Sequence, residues 1–304
     1  MKTIGLEKDF PRGVPTHRNS YFTLEHAIDW LLLQLADLPQ PFLIYIHLFP
    51  PHDPYNTRRE FIDAFRDDGY QALRKPKHFF RLAKSDEEID LLRRYYDEYI
   101  LYVDEEFGRL YSQMQNSGLL DDTWVVFTSD HGEMFERGIY EHGTCAMFEP
   151  LVRIPLIISS PGQVKRNDVH TPTSVVDILP TLLHVSNKSI PGWCEGSILP
   201  PFNPQEADLQ RYIFTLDAKR NQKDTISKAT AALVEWPYKI ILYKGFPQTP
   251  GEEWNYFEMF DLENDPEELH NLYSKQHAIA LHLSQVLIDK LNKADEIYLE
   301  RITD

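Results

Sequence analysis

The chain has 304 residues, 42% of them hydrophobic, which is enough to bury a sizeable core in one large or two modest domains. With 31 basic and 47 acidic residues, its formal net charge is −16, and this acidity argues against nucleic acid as a partner, because phosphate neutralisation requires clustered Lys and Arg. Its 2 cysteines are too few for a disulfide framework, and no apolar run approaches the roughly 20 residues of a membrane helix.

Hydrophobic periodicity predicts five elements in the first part of the chain. They are a helix from Thr23 to Leu38, a strand Phe42–Phe49, a helix Ser85–Gly118, a strand Trp124–Thr128 and a strand Ile154–Ser160. Apolar strands separated by helices predict an α/β architecture with a mostly parallel sheet flanked by helices.

The later part of the chain has a different pattern. We expect a helix Ser174–Val185 that Pro180 kinks or breaks, and a linker over Pro191–Pro204. Turn residues then separate four short strands from a closing helix: Tyr212–Asp217, Ala231–Glu235, Tyr238–Lys244, Tyr256–Leu262 and helix Ala278–Ile297. This pattern predicts a small antiparallel α+β subdomain, and therefore two domains, 1–200 and 205–304.

Acidic and histidine side chains follow the strand Trp124–Thr128 directly. In open α/β sheets, ligands bind just outside the carboxyl ends of strands, so Asp130 and His131 should face a site. A carboxylate beside an imidazole suits a divalent cation such as Ca²⁺, Mg²⁺, Mn²⁺ or Zn²⁺. On residue type alone, an alternative is favoured in which Asp130 caps a turn and His131 is an ordinary loop histidine.

A second histidine site is predicted after the strand Phe42–Phe49. The prolines of Pro50–Tyr55 would fix the imidazole of His52, which suits it to bind an anion or to donate a proton. Spacing alone favours a histidine held in a surface loop. His47 lies within the predicted strand and is interpreted as structural.

Four motifs in this order resemble the sulfatases and the wider alkaline-phosphatase-like superfamily. They are Pro51-His52-Asp53-Pro54-Tyr55, then Ser129-Asp130-His131-Gly132-Glu133 with Arg153-Ile154-Pro155-Leu156, then Asp177-Ile178-Leu179-Pro180-Thr181, and finally Phe260-Asp261-Leu262 with Asp265-Pro266. The resemblance implies an alkaline-phosphatase-like α/β fold with a small carboxyl-terminal subdomain. It also implies a metal held by Asp130 and His131 in a hydrolase of sulfuric esters.

The resemblance gives roles to two histidines. Family members place a histidine or lysine near His142, where it reaches the leaving-group oxygen or the anion, so His142 and His52 are the predicted catalytic and substrate-binding residues. A protonated His142, assisted by a neighbouring carboxylate such as Glu141, would act as a general acid. The alternative for His142 is a surface loop histidine.

Other family elements are not found in the sequence. No Cys/Ser-x-Pro-x-Arg motif occurs, so formylglycine is not expected on this chain, and an earlier strand with metal-binding aspartates is also missing. We therefore expect an amino-terminally incomplete fold that is inactive on its own. Asp130 and His131 supply only two metal ligands, so metal binding should be weak. No export signal is apparent, and localisation stays open beyond a cytoplasmic interpretation of the chain as written.

Three functions remain open at this stage. The favoured one is a sulfatase-like, metal-dependent hydrolase acting on a sulfate ester. The second is a phosphodiesterase or phosphonate monoester hydrolase of the same superfamily, acting on a phosphate ester. The third is a non-catalytic binding or partner protein. The expected macromolecular partners are a missing amino-terminal segment or a second copy paired through an exposed sheet edge; neither nucleic acid nor membrane is expected.

Overall fold

The structure is a computed structural model that describes residues 8–13, 23–203, 211–219, 226–247, 249–250 and 255–303. It divides into two compact units. The first comprises the described residues up to Thr144 together with Ile154–Val164, and the second comprises Cys145–Arg153 and the described residues from Lys165 onward. These units differ from the predicted domains 1–200 and 205–304. Asp177, which precedes the predicted linker, bonds to Arg211 just before the later sheet, as described below. Pro204, the end of the predicted linker, lies outside the described residues.

Two helices, α1 (Leu24–Asp37) and α2 (Asp86–Asn116), form the core of the first unit. The α2 helix begins at a capping box in which the Glu88 amide donates to Ser85 Oγ (3.2 Å) and the Ser85 amide donates to Glu88 Oε2 (2.7 Å). The two helices pack through fully buried side chains that include Ile28, Tyr99 and Tyr102. Both predicted helices are therefore confirmed. Tyr96 of α2 packs against Tyr55 and Phe135, which are close in sequence to His52 and His131.

One of the two-stranded sheets of the first unit contains β1 (Val125–Thr128) and β4 (Leu156–Ser159), paired antiparallel with Val125 opposite Ser159. Along the chain, β1 and β4 are separated by β2 (Phe135–Glu136), β3 (Ile139–Tyr140) and the short helix α3 (Glu149–Val152). The prediction of parallel pairing is wrong for this pair. A parallel connection requires a crossover of a dozen or more residues, usually a helix, and the only helix between β1 and β4 is a single turn.

The segment Phe42–Phe49, predicted as a strand, does not belong to any sheet among the described residues. Leu43 is 84% exposed and Tyr45 is 85% exposed, although the sequence predicts a buried strand. The prediction is wrong for a physical reason. An apolar β-branched pattern indicates a preference for extended backbone, but a strand also needs a neighbour that pairs its amide and carbonyl groups.

The second unit contains one antiparallel sheet of four strands in the order β5-β6-β7-β8. The strands are β5 (Tyr212–Lys219), β6 (Lys228–Glu235), β7 (Tyr238–Lys244) and β8 (Asn255–Asp261), and they confirm the predicted meander. The helix α5 (His277–Thr303) packs on β6 and β7 through Leu283 and Leu287. None of the helices in the described ranges has the length and apolarity that crossing a membrane requires.

Pro180 lies in the first turn of a helix and does not kink it. A 3₁₀ turn over Val175–Asp177 leads into α4 (Ile178–Val185), which places Pro180 in the first turn of α4. Amides of the first helical turn have no intrahelical acceptor, so a proline there removes no helical hydrogen bond. The predicted break therefore lies at the start of α4, where the 3₁₀ turn ends and the α-helix begins.

The carboxylate of Asp177 is fully buried and binds three parts of the second unit. Its two oxygens each accept a 2.8 Å bond from the guanidinium of Arg211, which immediately precedes β5. It also accepts from the amides of Ser174 (2.8 Å) and Ser197 (2.9 Å). Because Ser197 lies within the predicted linker, this contact ties the linker to the unit.

We expect Asp177→Asn to destabilise the chain strongly. The substitution leaves the charge of Arg211 without its buried partner, and breaking a buried pair from one side costs about 3–5 kcal/mol. Urea unfolding measures the change. Asp168→Asn is the matched control, since Asp168 pairs with Arg166 on the surface and both side chains are more than half exposed. A surface pair contributes at most about 1 kcal/mol, so equal losses in the two variants would contradict the role of Asp177.

Candidate active site

A tight hairpin builds the centre of the candidate site. Arg137 (φ 57°) and Gly138 (φ 75°) connect β2 to β3, and positive φ at both central residues defines a two-residue type I′ turn. A Cβ at position 138 would lie 2.9 Å from Arg81 Cβ, so this turn requires glycine. The register pairs Phe135 with Tyr140, and extending it outward places Glu133 opposite His142.

Glu133 and His142 are in direct contact. Nδ1 of His142 lies 3.2 Å from both carboxylate oxygens of Glu133, whose side chain is only 3% exposed. Since a carboxylate accepts, Nδ1 is the protonated donor nitrogen. The pair is shielded by Tyr96, whose pKa is raised to about 12 by its own burial and by the Glu133 charge. The same two causes raise the pKa of Tyr55.

The three histidines predicted as site residues meet in one cluster. The ring of His142 lies 4.3 Å from that of His131 in a stacked arrangement and 4.7 Å from that of His52 at a steeper angle. His52 also packs 4.4 Å from the ring of Phe49, which fixes it at the end of the proline turn. Residues far apart in sequence thus bring their imidazoles to the same place.

Each imidazole in this cluster is oriented through Nδ1. His131 Nδ1 donates to the Gly132 carbonyl at 2.8 Å, and His52 Nδ1 donates to the Asp53 carbonyl at 2.9 Å. Carbonyl oxygens only accept, so both histidines carry the proton on Nδ1, as His142 does. Nε2 of each ring therefore remains available for a ligand, and none of the three makes a hydrogen bond through Nε2 within the described ranges.

Asp130 is the most exposed part of the candidate site, with 61% of its side chain accessible. Its carboxylate oxygens lie 3.9 Å from His47 Nε2 and 3.8 Å from His131 Nε2, which is beyond direct hydrogen bonding. Among the described residues, no three His, Cys, Asp or Glu side chains converge on a position that could hold a metal ion. The residues present therefore do not form a complete metal centre, which has three or more protein ligands.

Two residues of the site were missed or misjudged by sequence reasoning. The carboxylate that contacts His142 is Glu133, whereas the sequence suggested Glu141. Glu141 has a left-handed backbone (φ 69°), and no hydrogen bond joins its side chain to His142 among the described residues. His47, interpreted as structural, is 60% exposed beside Asp130. The hairpin glycine could have revealed Glu133, because a two-residue Arg-Gly turn between two short strands fixes which residues face each other.

Negative charge accumulates on one side of the histidine cluster. Burial, followed by the carboxylates of Asp53 and Glu133, raises the pKa of Glu141. Asp53 also contacts His52 Nδ1 through its own side chain at 2.8 Å. These acids compensate the cations that the cluster would carry when its imidazoles are protonated.

Comparison with known proteins gives the class of this fold. The sulfatase family model matches residues 14–188, and a model described as N-sulphoglucosamine sulphohydrolase, C-terminal, matches residues 136–296. The phosphonate monoester hydrolase of Agrobacterium radiobacter superposes with a TM-score of 0.71 at 19% identity, covering 95% of this chain and 66% of that protein. A second structure, solved with its substrate D-glucosamine-2-N,6-O-disulfate, gives a TM-score of 0.52 at 25% identity, covering 70% and 42%.

The chain belongs to the sulfatase family, with the alkaline-phosphatase-like α/β fold. Among curated relatives, it is 29% identical to the choline-sulfatase of Rhizobium meliloti over 255 residues, which cover 77% of this chain and 46% of the relative. The chain spans about half the length of the curated relatives it matches. The family generally uses a divalent metal.

We expect Glu141→Gln to stabilise the chain at neutral pH and to have no effect in acid. A carboxyl group whose pKa is raised by folding is protonated more fully in the folded state, so it lowers the free energy of unfolding as pH rises through that range. The gain should stay below about 1 kcal/mol, because the side chain is partly solvated.

Urea unfolding of wild type and variant at about pH 3 and pH 7 measures this difference. The exposed Glu263→Gln in the second unit is the control. A stabilisation of equal size at both pH values would contradict the electrostatic explanation.

We expect this chain to bind Ca²⁺ weakly, with a Kd of about 10⁻⁴ M or higher, because Asp130 and His131 alone make a small ligand set. Asp130→Asn should abolish the binding measured by calorimetry, while Asp122→Asn, at an exposed carboxylate, should leave it unchanged. A submicromolar Kd would show that the described side chains form a more complete centre than their positions indicate.

Proposed function

We propose that the three-histidine cluster with Asp130 is part of a site that hydrolyses a sulfate ester. The observation that carries the proposal is the clustering of His52, His131 and His142, each held through Nδ1 with Nε2 available. When His52 and His142 are protonated, their Nε2 atoms become N–H donors, which suit a tetrahedral oxyanion because it accepts hydrogen bonds on every oxygen. Family membership and the glucosamine disulfate substrate named for one structural neighbour support the sulfate ester.

His142 is the general acid in this proposal. In its protonated form, Nε2–H would give its proton to the oxygen that leaves as the S–O bond breaks and the sulfuryl group passes to a nucleophile outside this chain, so that the leaving group departs as a neutral alcohol or phenol. Glu133 accepts the hydrogen bond from Nδ1, which fixes the ring and stabilises the imidazolium before the transfer. Glu133 is therefore a positioning residue that acts through His142.

His52 is the proposed anion-binding residue. Its ring is confined between Phe49 and His142, and its Nδ1 is held by Asp53, so Nε2 has a fixed direction. When the ring is protonated, its Nε2–H is a preorganised donor, which contributes more than a mobile one because little side-chain entropy is lost when the anion binds.

Asp130 and His131 are proposed as two ligands of a divalent cation. The pairing of carboxylate and imidazole matches the donors that such ions take, and the family generally uses one. No described residue of this chain is proposed as the nucleophile. The purified chain is accordingly expected to be inactive towards nitrophenyl sulfate with any added divalent metal.

A phosphonate or phosphate ester is the second candidate substrate. It is favoured by the phosphonate monoester hydrolase fold, which superposes over 95% of this chain. Both substrate classes present a tetrahedral anion to the same donors, so the histidine cluster does not discriminate between them. The third interpretation, a non-catalytic binding protein, is supported by the absence of a Cys/Ser-x-Pro-x-Arg motif from the sequence.

Binding of substrate analogues tests the proposal without requiring turnover. We expect 4-nitrophenyl sulfate to shift the imidazole NMR signals of His52 and His142 near pH 6, and His142→Gln to weaken binding at least about tenfold by removing a charge-assisted bond. His270→Gln is the matched control, because the His270 side chain is 69% exposed in the second unit.

A parallel titration with phenylphosphonate ranks the two anion classes. If neither ester perturbs His52 or His142, or if His270→Gln weakens binding as much as His142→Gln, the histidine cluster is not the substrate site. Turnover of nitrophenyl sulfate by the purified chain would disprove the expected inactivity and would show that the chain holds a nucleophile.

A further inference from the structure

A cavity of about 380 Å³ lies on α2 in the first unit, and none of the proposed site residues lines it. Its lining combines three arginines and two carboxylates with three apolar or aromatic side chains: Arg12, Arg66, Arg94, Asp63, Glu98, Ile62, Leu91 and Tyr95. Ligand pockets typically range from about 300 to 1,000 Å³, so this one suits a small molecule. The lining has one excess positive charge, although the whole chain has a net charge of −16.

The helix α2 supplies half of this lining on one face. Leu91, Arg94, Tyr95 and Glu98 recur at the i, i+3, i+4 and i+7 spacing that brings side chains together on a helix. The opposite wall is the segment that contains Ile62 and Asp63, where the amide of Asp63 donates to Glu98 Oε1 at 2.8 Å.

Two of the three arginines are already neutralised. Arg12 pairs with Glu98, whose side chain is 3% exposed, and its guanidinium lies 3.8 Å above the ring centroid of Tyr95. Arg66 pairs with Asp63 at 2.7 Å. Both guanidinium groups are therefore held in place by a carboxylate, so they line the cavity without contributing a free charge.

Arg94 is the exception. It is half-buried and has neither a hydrogen-bond partner nor an ion-pair partner among the described residues. A guanidinium has five N–H donors in a fixed fork that matches a carboxylate or sulfate group. A bound anion would supply the acceptors that the described residues do not.

We propose that this cavity binds a small sugar that carries one negative charge, with its carboxylate or sulfate group on Arg94. The partly exposed carboxylate of Asp63 can accept from sugar hydroxyls, and Ile62 and Leu91 offer apolar surface to ring C–H groups. A single excess charge selects a monoanion over a neutral sugar or a small dianion. The site is independent of the histidine cluster and of the proposed hydrolysis.

Calorimetric titration of the full chain with glucuronate tests the proposal, with glucose and inorganic sulfate as comparison ligands. We expect glucuronate to bind at least about tenfold more tightly than either, because one charge-assisted contact is lost with glucose and the hydroxyl contacts are lost with sulfate. Arg94→Gln should weaken glucuronate binding by a similar factor, and Arg94→Lys should recover part of it by restoring the charge.

Two controls separate this site from others. Arg166→Gln changes an arginine that is 85% exposed in the second unit and should leave glucuronate binding unchanged. His142→Gln should also leave it unchanged, which distinguishes the cavity from the histidine cluster. Circular dichroism and thermal unfolding verify that each variant is folded, and NMR signals of the arginine Nε–H groups locate the bound sugar.

The proposal is overturned if glucuronate does not bind at millimolar concentration, or if Arg94→Gln binds it as tightly as the wild type. It is also overturned if, in the His142→Gln variant, glucose or sulfate binds as tightly as glucuronate, since a site for any sugar or any free anion has a different chemistry. Loss of glucuronate binding in His142→Gln would place the ligand at the histidine cluster and would likewise refute it.

Discussion

The contact between Glu133 and His142 organises the candidate site. It closes the hairpin of β2 and β3, buries a carboxylate with almost no solvent contact, and fixes the ring on which the other two imidazoles rest. A buried carboxylate is costly unless it is paired and hydrogen-bonded. The cost of leaving Glu133 unpaired therefore holds His142 in its position, and His52 and His131 are placed by contact with that ring.

Elements with local signals were predictable from the sequence. The Ser85 capping box marks the start of α2, and turn residues mark the ends of the four short strands of the second unit. These features depend on residues close in sequence, so the pattern contains the information. The motifs around Asp130 and His52 identified the sulfatase family for a similar reason, since each motif is short and continuous.

Features that depend on distant partners were not predictable. Phe42–Phe49 has strand propensity but no pairing partner among the described residues, and the antiparallel pairing of β1 with β4 depends on the path of the connecting chain. In the site, the choice of Glu133 over Glu141 as the partner of His142 depends on the register of the hairpin. Glu141 is adjacent to His142 in sequence. Glu133 is nine residues away, but it lies opposite His142 across the hairpin and is therefore the carboxylate that contacts the ring.

The exposed segment of residues 42–48, which ends at the proline turn, should differ from α2 in the rate at which its amide hydrogens exchange with solvent. Amide hydrogens without an acceptor exchange with solvent without waiting for the fold to open, whereas those within α2 exchange only when that helix does. Backbone groups of residues 42–48 make no hydrogen bonds to other described backbone groups, so this stretch should have the least exchange protection of the chain between α1 and His52. Hydrolysis of its peptide bonds would separate α1 from the histidine turn while leaving the Glu133–His142 hairpin intact.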